Sequence, residues 1–212
     1  MHETKRDERI HEIIARLRQR YPDARCSLEY NSVFELLIAT MLSAQCTDER
    51  VNMVTATLFK KYRTIEDYAK ADPAELEQDI YSTGFYRTKA KNIQAAARRI
   101  LEAYNGQVPK TMEELLTLPG VARKTANLIL GTGYGITSGI VVDTHVKRVS
   151  KRLGLATSEN PEKIERELCE LIPRKDWIDF SHLLVFHGRA ECKPRPLCSN
   201  CCISELCPSK LH

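Results

Sequence analysis

The sequence predicts an all-α protein, and three observations lead to that prediction. Nearly every segment repeats its apolar residues at the three-to-four-residue spacing of an amphipathic helix, and strand-like alternation does not persist. Helix-start signals precede most of these segments, and proline or glycine interrupts the chain between them. With 212 residues, 42% of them hydrophobic, the chain can bury the core of one or two domains.

The N-terminal half is expected to contain several helices that begin at recognisable signals. Ser32 and Glu35 have capping-box spacing, and Asp72 precedes a first-turn proline. The expected elements are an amphipathic helix over 3–20, an apolar helix opened at Ser32, a helix capped by Thr47 or Asp48 that reaches about Lys61, a helix from Pro73, and a long helix from Arg87 to Tyr104.

A helix-hairpin-helix is predicted shortly after residue 110. Thr111 and Glu114 have capping-box spacing for its first helix. Pro119 cannot continue that helix, and Gly120 can take the positive φ of a tight reversal. A second helix fits from Ala122. The exposed amides at its start form a site that favours a phosphate.

Lys124 is the unusual residue of this hairpin. It lies in the first turn of the second helix beside Arg123. The helix dipole disfavours a cation there, and an amine without its extra proton is the nucleophilic form of lysine. Position alone leaves open the alternative of a solvated lysine that only contacts phosphate.

The chain after the hairpin is also expected to be helical. Residues 131–139 read as a glycine-rich connection, and residues 140–142 as a buried extended entry to the next helix. Asp143 is placed to cap that helix. Asn160 with Pro161 opens another, and the last long helix is expected from Trp177 to His187.

Charge and hydropathy limit the kinds of partner that the protein is expected to bind. The net charge of +4 is modest, but the cations are clustered in a way that suits a phosphate backbone. No apolar run approaches the ~18 residues of a membrane span, and the charged N-terminus lacks a signal-peptide core. We therefore expect a monomer in the cytoplasm, bound to DNA and to no membrane. The clustered cations are Arg87, Lys89, Lys91, Arg98, Arg99, Arg123, Lys124, Lys147, Arg148, Lys151 and Arg152.

Five of the eight cysteines lie close together near the C-terminus. Cys192, Cys198, Cys201 and Cys207 leave gaps of five, two and five residues. Four thiolates at this spacing, in a protein expected in the cytoplasm, favour a metal site over disulfides. Zinc and a [4Fe–4S] cluster both accept four cysteines, and the spacing does not choose between them. Cys202 is a second candidate for the third ligand.

Two motifs carry a family resemblance. Leu118-Pro-Gly-Val-Ala-Arg-Lys124-Thr-Ala-Asn and Val142-Asp143-Thr-His145 resemble the endonuclease III family of DNA base-excision glycosylases. The resemblance implies that Lys124 is the catalytic nucleophile and that Asp143 assists it. The separation of the two motifs is one residue longer than the family's usual one, and Ala122 replaces a frequent glycine. The glycine-rich connection and the helix start can absorb these changes.

The resemblance also implies an architecture, a two-domain helix-hairpin-helix DNA glycosylase fold with a C-terminal four-cysteine iron–sulfur loop. Residues 26–137 would form a six-helix barrel with the hairpin at about 111–131. Residues 1–25 and 138–212 would form a helical iron–sulfur cluster domain, with the active site at the seam. The resemblance favours [4Fe–4S] over zinc, although the family's first cysteine gap is usually six residues. Cys201 keeps the usual spacing on both sides and is the implied third ligand.

DNA contacts follow from the same matches. The family uses the residue at Gln45 to fill the gap left by a flipped-out nucleotide, and an apolar residue at Phe85, more often leucine, as a wedge. Cations of the cysteine loop are placed to meet phosphate. The expected contacts are Gln45, Phe85, Gly120, Val121, Ala122, Arg123, His145, Arg148, Lys193 and Arg195.

The expected function is that of a bifunctional DNA glycosylase/AP lyase in base excision repair. It would remove oxidised pyrimidines through a lysine Schiff base and cut by β-elimination 3′ to the abasic site. An adenine-mismatch glycosylase would need a glutamate where this chain aligns Ala39, and thymine-mismatch enzymes often carry tyrosine at position 124. A non-catalytic helix-hairpin-helix DNA-binding protein would not need both Lys124 and Asp143.

Overall fold

The computed structural model describes residues 2–210, with side chains from residue 5 onward. Within that range the chain is helical and has no β-strand, as the sequence predicts. No helix in this part of the chain combines the length and apolar character needed to cross a membrane. Its α-helices are α1 (His2–Arg20), α2 (Val33–Leu42), α3 (Asp48–Lys61), α4 (Ile65–Lys70), α5 (Pro73–Asp79), α6 (Tyr86–Tyr104), α7 (Met112–Leu115), α8 (Arg123–Leu128), α9 (Thr144–Arg152), α10 (Pro161–Leu171) and α11 (Trp177–Ala190).

The helices divide between two compact units. The central unit is Cys26–Ile136 and contains α2 to α8. The terminal unit joins the described residues up to Arg25 with those from Thr137 onward, and contains α1 and α9 to α11. Each unit has its own hydrophobic core.

The core of the central unit is built around α2. Every residue from Leu36 to Leu42 is buried, which fits a helix that is apolar on all sides. Ser32 caps this helix by accepting a hydrogen bond from the N–H of Glu35. The Glu35 carboxylate accepts from the N–H of Asn31 rather than from Ser32, so only half of the expected capping box forms. The long helix α6 packs against α4 and α5.

The terminal unit brings the two ends of the chain together. The predicted amphipathic stripe of α1, which includes Ile10 and Leu17, is buried in this unit, and α1 packs against α11. Arg9 Nε donates to the carbonyl of Leu206 (2.9 Å), which fastens α1 to the cysteine loop. The N-terminal helix therefore supports the segment that carries the clustered cysteines.

Two helical features differ from the sequence prediction. Helix α4 was not predicted, although Thr64 and Asp67 form a complete capping box at its start. The expected connection at 131–139 begins later, because α8 continues as a π-helical turn over Ile129–Gly133. Glycine at 133 permits close packing, since a Cβ there would lie 3.0 Å from Cγ1 of Val33. The extended run 140–142 and the helix start after Asp143 agree with the prediction.

Candidate nucleic-acid interface and metal centre

The hairpin turn depends on Gly120. Its φ is +79°, in a region that other residues rarely adopt. A Cβ at this position would lie 2.9 Å from Cβ of Asn92 and 2.9 Å from Cε of Met41, closer than real contacts. Val121 is buried and donates its N–H to the carbonyl of Leu118 (3.1 Å). Conformation and packing therefore both require glycine at the turn.

The start of α8 presents Lys124 to solvent. Ala122 is the N-cap, in extended conformation, and Arg123 and Lys124 form the first turn. These three residues are exposed, whereas Ala126 and Asn127 in the next turn are buried. A primary amine and the exposed amides of a helix start thus occur at one end of one helix. Such an end suits a nucleophile that must act beside a phosphate.

Gln45 and Phe85 have backbone conformations that are rare for their residue types. Their φ values are +54° and +49°, in the left-handed region. Conformations of this kind cost of order 1–3 kcal/mol each and cluster at functional sites. Both side chains are exposed, and the Phe85 ring is 64% exposed although it is large and apolar. Neither side chain belongs to the hydrophobic core of the central unit.

A cavity of about 210 Å³ brings these residues together in the central unit. Gln45, Phe85 and Gly120 all line it, so three of the sequence-predicted DNA contacts meet at one place. Side chains from α2, α6 and the loop after α2 complete the lining: Met41, Ala44, Thr88, Lys89 and Asn92.

Lys89 is the buried cation of this cavity. Only 6% of it is exposed, and its Nζ donates to the carbonyls of Leu42 (2.7 Å) and Thr83 (2.8 Å). Burial lowers the pKa of Lys89. Sequence analysis counted this lysine among the clustered cations and missed its role. A signal was present, because the helical period places Lys89 on the same face of α6 as the buried Ile93 and Ile100.

Asp143 is the N-cap of α9. Its Oδ1 accepts a hydrogen bond of 2.8 Å from the N–H of Val146. Val146 and Val149 are fully buried in the core of the terminal unit. The carboxylate is therefore fixed at the start of a helix that the core holds in place.

Arg148 has several protein partners. Its Nε donates to the carbonyl of Cys192 (3.0 Å), and its Nη2 donates to the carbonyl of Gly188 (2.9 Å) and lies 3.1 Å from Nδ1 of His145. Burial lowers the pKa of His145, which favours a neutral ring that can accept at Nδ1. A Cβ at Gly188 would lie 3.0 Å from Cβ of His145. This pair of predicted contacts therefore joins α9 to α11 and to the cysteine loop.

Four cysteines line one cavity in the terminal unit, and they are Cys192, Cys198, Cys201 and Cys207. None of the four takes part in a disulfide in the described structure. Burial raises the pKa of the Cys201 thiol to about 11 and also raises the pKa of Cys207. A bound metal reverses this preference by stabilising the thiolates. Four sulfur donors around one enclosed space fit a zinc ion or a [4Fe–4S] cluster.

Cys202 is not among the residues that line this cavity, although His187 and Glu191, which its Sγ approaches, are. Its Sγ and the ligand atoms of His187 and Glu191 all lie within 4.8 Å of one another. Its N–H donates to Glu191 Oε2 (3.3 Å), and Glu191 Oε1 accepts from Arg20 Nε (2.8 Å). His187 Nε2 lies 3.7 Å from Sγ of the neighbouring Cys201. His187 therefore lies beside both adjacent cysteines, and of the two only Cys201 lines the four-cysteine cavity.

Arg152 holds the loop that carries Lys193 and Arg195. Its Nη1 donates to the carbonyl of Lys193 (2.6 Å) and lies 3.3 Å from Sγ of Cys192. Its Nη2 donates to the carbonyl of Pro194 (2.8 Å). Lys193 and Arg195 are exposed. This role was not predicted from the sequence, because the contacts join α9 to a distant part of the chain and no local sequence pattern indicates them.

A protein-family model matches residues 38–174 of this chain, and it describes the HhH-GPD superfamily of base excision DNA repair proteins. The matched range contains the hairpin, Lys124 and Asp143. It covers more than half of the 212 residues.

Curated and solved relatives extend the similarity to nearly the whole chain. The endonuclease III of Synechocystis sp. is 55% identical over 203 residues, which cover 95% of this chain and 93% of that protein. A non-covalent endonuclease III–DNA complex has a TM-score of 0.91 at 45% identity and covers 96% of both chains. A trapped endonuclease III–DNA covalent intermediate, an estranged-adenine complex, gives the same TM-score, identity and coverage.

Proposed function

The chain belongs to the endonuclease III family of base excision DNA repair glycosylases and lyases, and from this premise we propose that it removes oxidised pyrimidines from duplex DNA with Lys124 as the nucleophile. One observation carries the proposal. A glycine that the turn sterically requires, Gly120, precedes a helix whose first turn exposes Lys124.

The chemistry proceeds through a covalent link to the sugar. The Nζ of Lys124 forms a bond to C1′, and the bond from C1′ to the base breaks. The base leaves with a proton. The sugar ring then opens to give a Schiff base between Nζ and C1′. Removal of a proton from C2′ breaks the C3′–O bond and cuts the strand 3′ to the abasic site, and water finally releases the sugar from Lys124.

Asp143 assists these steps as a fixed carboxylate. It accepts the proton that Nζ loses on attack, or it stabilises the positive charge that develops on the sugar as the base departs. Its hydrogen bond to the N–H of Val146 holds the carboxylate in one orientation. A group held in this way needs no reorganisation at the moment of reaction.

Base removal requires the damaged nucleotide to leave the helix stack, at a cost of a few kcal/mol. Phe85 enters the duplex as an apolar wedge on the opposite strand. Gln45 fills the space that the extruded nucleotide leaves. The exposure of both residues and their place at one cavity support these roles.

Phosphate contacts hold the DNA while this happens. The amides of Gly120 and Ala122 bind one phosphate, aided by the Arg123 side chain. Val121 shapes this turn, because its N–H donates to the carbonyl of Leu118. Lys193 and Arg195 meet another part of the backbone, from the loop that Arg152 holds. The remaining contacts, His145 and Arg148, act mainly by joining α9 to that loop.

We assign a [4Fe–4S] cluster to Cys192, Cys198, Cys201 and Cys207, with zinc as the alternative. Their sulfur donor set fits either group, and the family resemblance favours iron and sulfur. When bound, the cluster would serve as a structural cross-link of the loop between Cys192 and Cys207. In this assignment residues 26–137 are the six-helix barrel domain, and residues 1–25 with 138–212 are the iron–sulfur cluster domain.

Paired serine substitutions test the ligand assignment. Cys201→Ser is expected to abolish iron binding and the broad visible absorption of the cluster. Cys202→Ser, the matched control beside it, should retain both, because Cys202 does not line the cavity that the other four cysteines share. The iron content of the two purified variants shows which cysteine is the ligand. Loss of iron from Cys202→Ser alone would identify Cys202, and not Cys201, as the third ligand. Zinc in the purified wild-type protein would refute the [4Fe–4S] assignment.

The partner is double-stranded DNA that carries a damaged base or an abasic site. We expect the protein to act as a monomer in the cytoplasm, in association with DNA. Clustered cations at both the hairpin and the cysteine loop support an affinity for DNA that falls steeply as salt rises.

Borohydride trapping on duplex DNA with one thymine glycol tests the proposed function. The wild-type protein should give a covalent adduct that mass spectrometry maps to Lys124. Lys124→Ala should give none, whereas Lys70→Ala, at an exposed lysine of α4, should react like the wild type. Base release without an adduct would refute the lysine mechanism and make Asp143 the central residue of a water-using glycosylase. Absence of release would refute thymine glycol as a substrate, and a G:T mismatch would be the next duplex to test.

A further inference from the structure

One side chain joins the two loops that carry Gln45 and Phe85. Lys89 lies in α6, and its Nζ donates both to Leu42, the last residue of α2, and to Thr83, at the end of a short 3-10 turn. The acceptor at Leu42 precedes Gln45 by three residues, and the acceptor at Thr83 precedes Phe85 by two. The ammonium thus fixes the distance between the starting points of both loops.

The hydrogen bonds from the Lys89 ammonium to these two carbonyls are strong enough to fix the positions of the loops. The last carbonyls of a helix lack partners within the helix. A charged donor forms shorter and stronger bonds to them than a neutral donor does. Burying an ammonium is costly, and an apolar side chain of the same length would fill the same space at lower cost. The desolvation cost of burying Lys89 therefore calls for a compensating role, and positioning of the two loops is such a role.

We propose that Lys89 is a positioning residue that holds Gln45 and Phe85 in a preset arrangement for entry into the duplex. Lys89 acts through these two residues and makes no contact with DNA itself. The inference rests on the proposed function, in which Gln45 and Phe85 occupy the opened base pair. Both loops carry left-handed backbone at the residue that enters the DNA, and such a strained conformation persists only where the surrounding structure enforces it.

The test measures duplex opening without any chemistry. The probe is a duplex in which a tetrahydrofuran abasic analogue faces 2-aminopurine, whose fluorescence rises when the base unstacks. At saturating protein, Lys89→Met is expected to slow this rise by about tenfold or more, since small misplacements of working groups have effects of this size. Lys70→Met, an exposed substitution on α4, should behave like the wild type.

A double-mutant comparison separates positioning from a general loss of stability. In a protein with Gln45→Ala, which keeps the Phe85 wedge, adding Lys89→Met should slow the rise by a smaller factor than it does in the wild type, because one of the two residues through which Lys89 acts is gone. An equal slowing in both backgrounds would overturn the inference, as would an unchanged rise in Lys89→Met itself. If Lys89→Met does not fold, Lys89→Gln, whose side chain is one bond shorter, provides the same comparison.

The outcomes also separate this inference from the proposed function. The tetrahydrofuran analogue offers no group that Lys124 can attack, so the fluorescence readout does not depend on the lysine chemistry. Failure of the wild type to form the borohydride adduct would refute the catalytic proposal alone. A normal adduct with no effect of Lys89→Met on opening would refute the positioning role alone.

Discussion

The Oδ1 atom of Asp143 lies 2.8 Å from the backbone nitrogen of Val146 and accepts a hydrogen bond from it. The carboxylate that the proposed mechanism uses is therefore also the cap that starts α9. The two roles depend on different properties of the side chain. Capping needs an oxygen acceptor, whereas catalysis needs negative charge or basicity.

Substitution of Asp143 should separate these roles. Asparagine caps helices about as well as aspartate does, so Asp143→Asn should leave the free energy of unfolding nearly unchanged while it removes the charge. We expect its single-turnover base excision to fall by about 100-fold or more, the contribution typical of acid–base groups. Urea unfolding and single-turnover kinetics, measured on the same preparations, check both expectations.

The alanine variant is the matched control for this separation. Asp143→Ala loses the acceptor as well as the charge, so it should be less stable than Asp143→Asn by about 1 kcal/mol. Its activity should be as low as that of the asparagine variant. Full activity in Asp143→Asn would show that the residue serves only as a cap.

Much of the fold could be predicted because helix signals are local. Ser32, Thr47, Asp72 and Asn160 each accept hydrogen bonds from the first turn of the helix that they were expected to start. Such a signal needs only the few residues that form the cap, and these are adjacent in sequence. The hairpin was predictable for the same reason, since Gly120 takes the positive φ that its turn requires.

Other features depend on tertiary contacts and could not be predicted in the same way. The π-helical turn after α8 packs Gly133 closely against Val33, a residue of another helix. The roles of Arg152 and Lys89 arise from carbonyls elsewhere in the chain, and a list of cations contains no information about them. Local motifs therefore sufficed to propose Lys124 and Asp143 as the reacting residues, whereas the contacts of Arg152 and Lys89 with the loops were not predicted.

Gly120→Ala should be strongly destabilising. The new methyl group must adopt a left-handed backbone at a cost of about 1–2 kcal/mol, and it would lie 2.9 Å from side-chain atoms of Asn92 and Met41. Overpacking of this kind adds about 1–3 kcal/mol. Thermal and urea unfolding measure the total loss.

Gly135→Ala is the control for the packing part of that loss. Gly135 has a φ of +67°, but a Cβ there would have nothing within 4 Å. Gly135→Ala should therefore lower the free energy of unfolding only by the cost of placing alanine in a left-handed backbone. Equal destabilisation by the two substitutions would contradict the close packing inferred at Gly120.

Phe85→Gly should preserve stability and remove function. Glycine adopts a φ of +49° without strain, and the exposed ring contributes little to the core. We expect the free energy of unfolding to change by less than about 1 kcal/mol, because relief of strain offsets the added freedom of the unfolded chain. Opening of the abasic duplex, followed by 2-aminopurine fluorescence, should be lost. Phe85→Leu keeps an apolar wedge and should open the duplex, and an active glycine variant would exclude the wedge role.

Acid should destabilise the protein through His182. Burial in α11 lowers the pKa of His182 below the usual 6.5, with the Asp179 carboxylate opposing part of the shift. Because the folded pKa is the lower one, the unfolded chain binds more protons in the window between the two values, and stability therefore rises with pH there. The contribution is complete above about pH 6.5 and is lost as the pH falls toward the folded pKa. His182→Gln should lessen the loss of unfolding free energy between about pH 7.5 and 5.5, measured by urea titration with the metal site loaded. His11→Gln, an exposed change on α1, should leave the wild-type loss intact, and an equal loss in His182→Gln would show that this histidine does not contribute to the acid sensitivity.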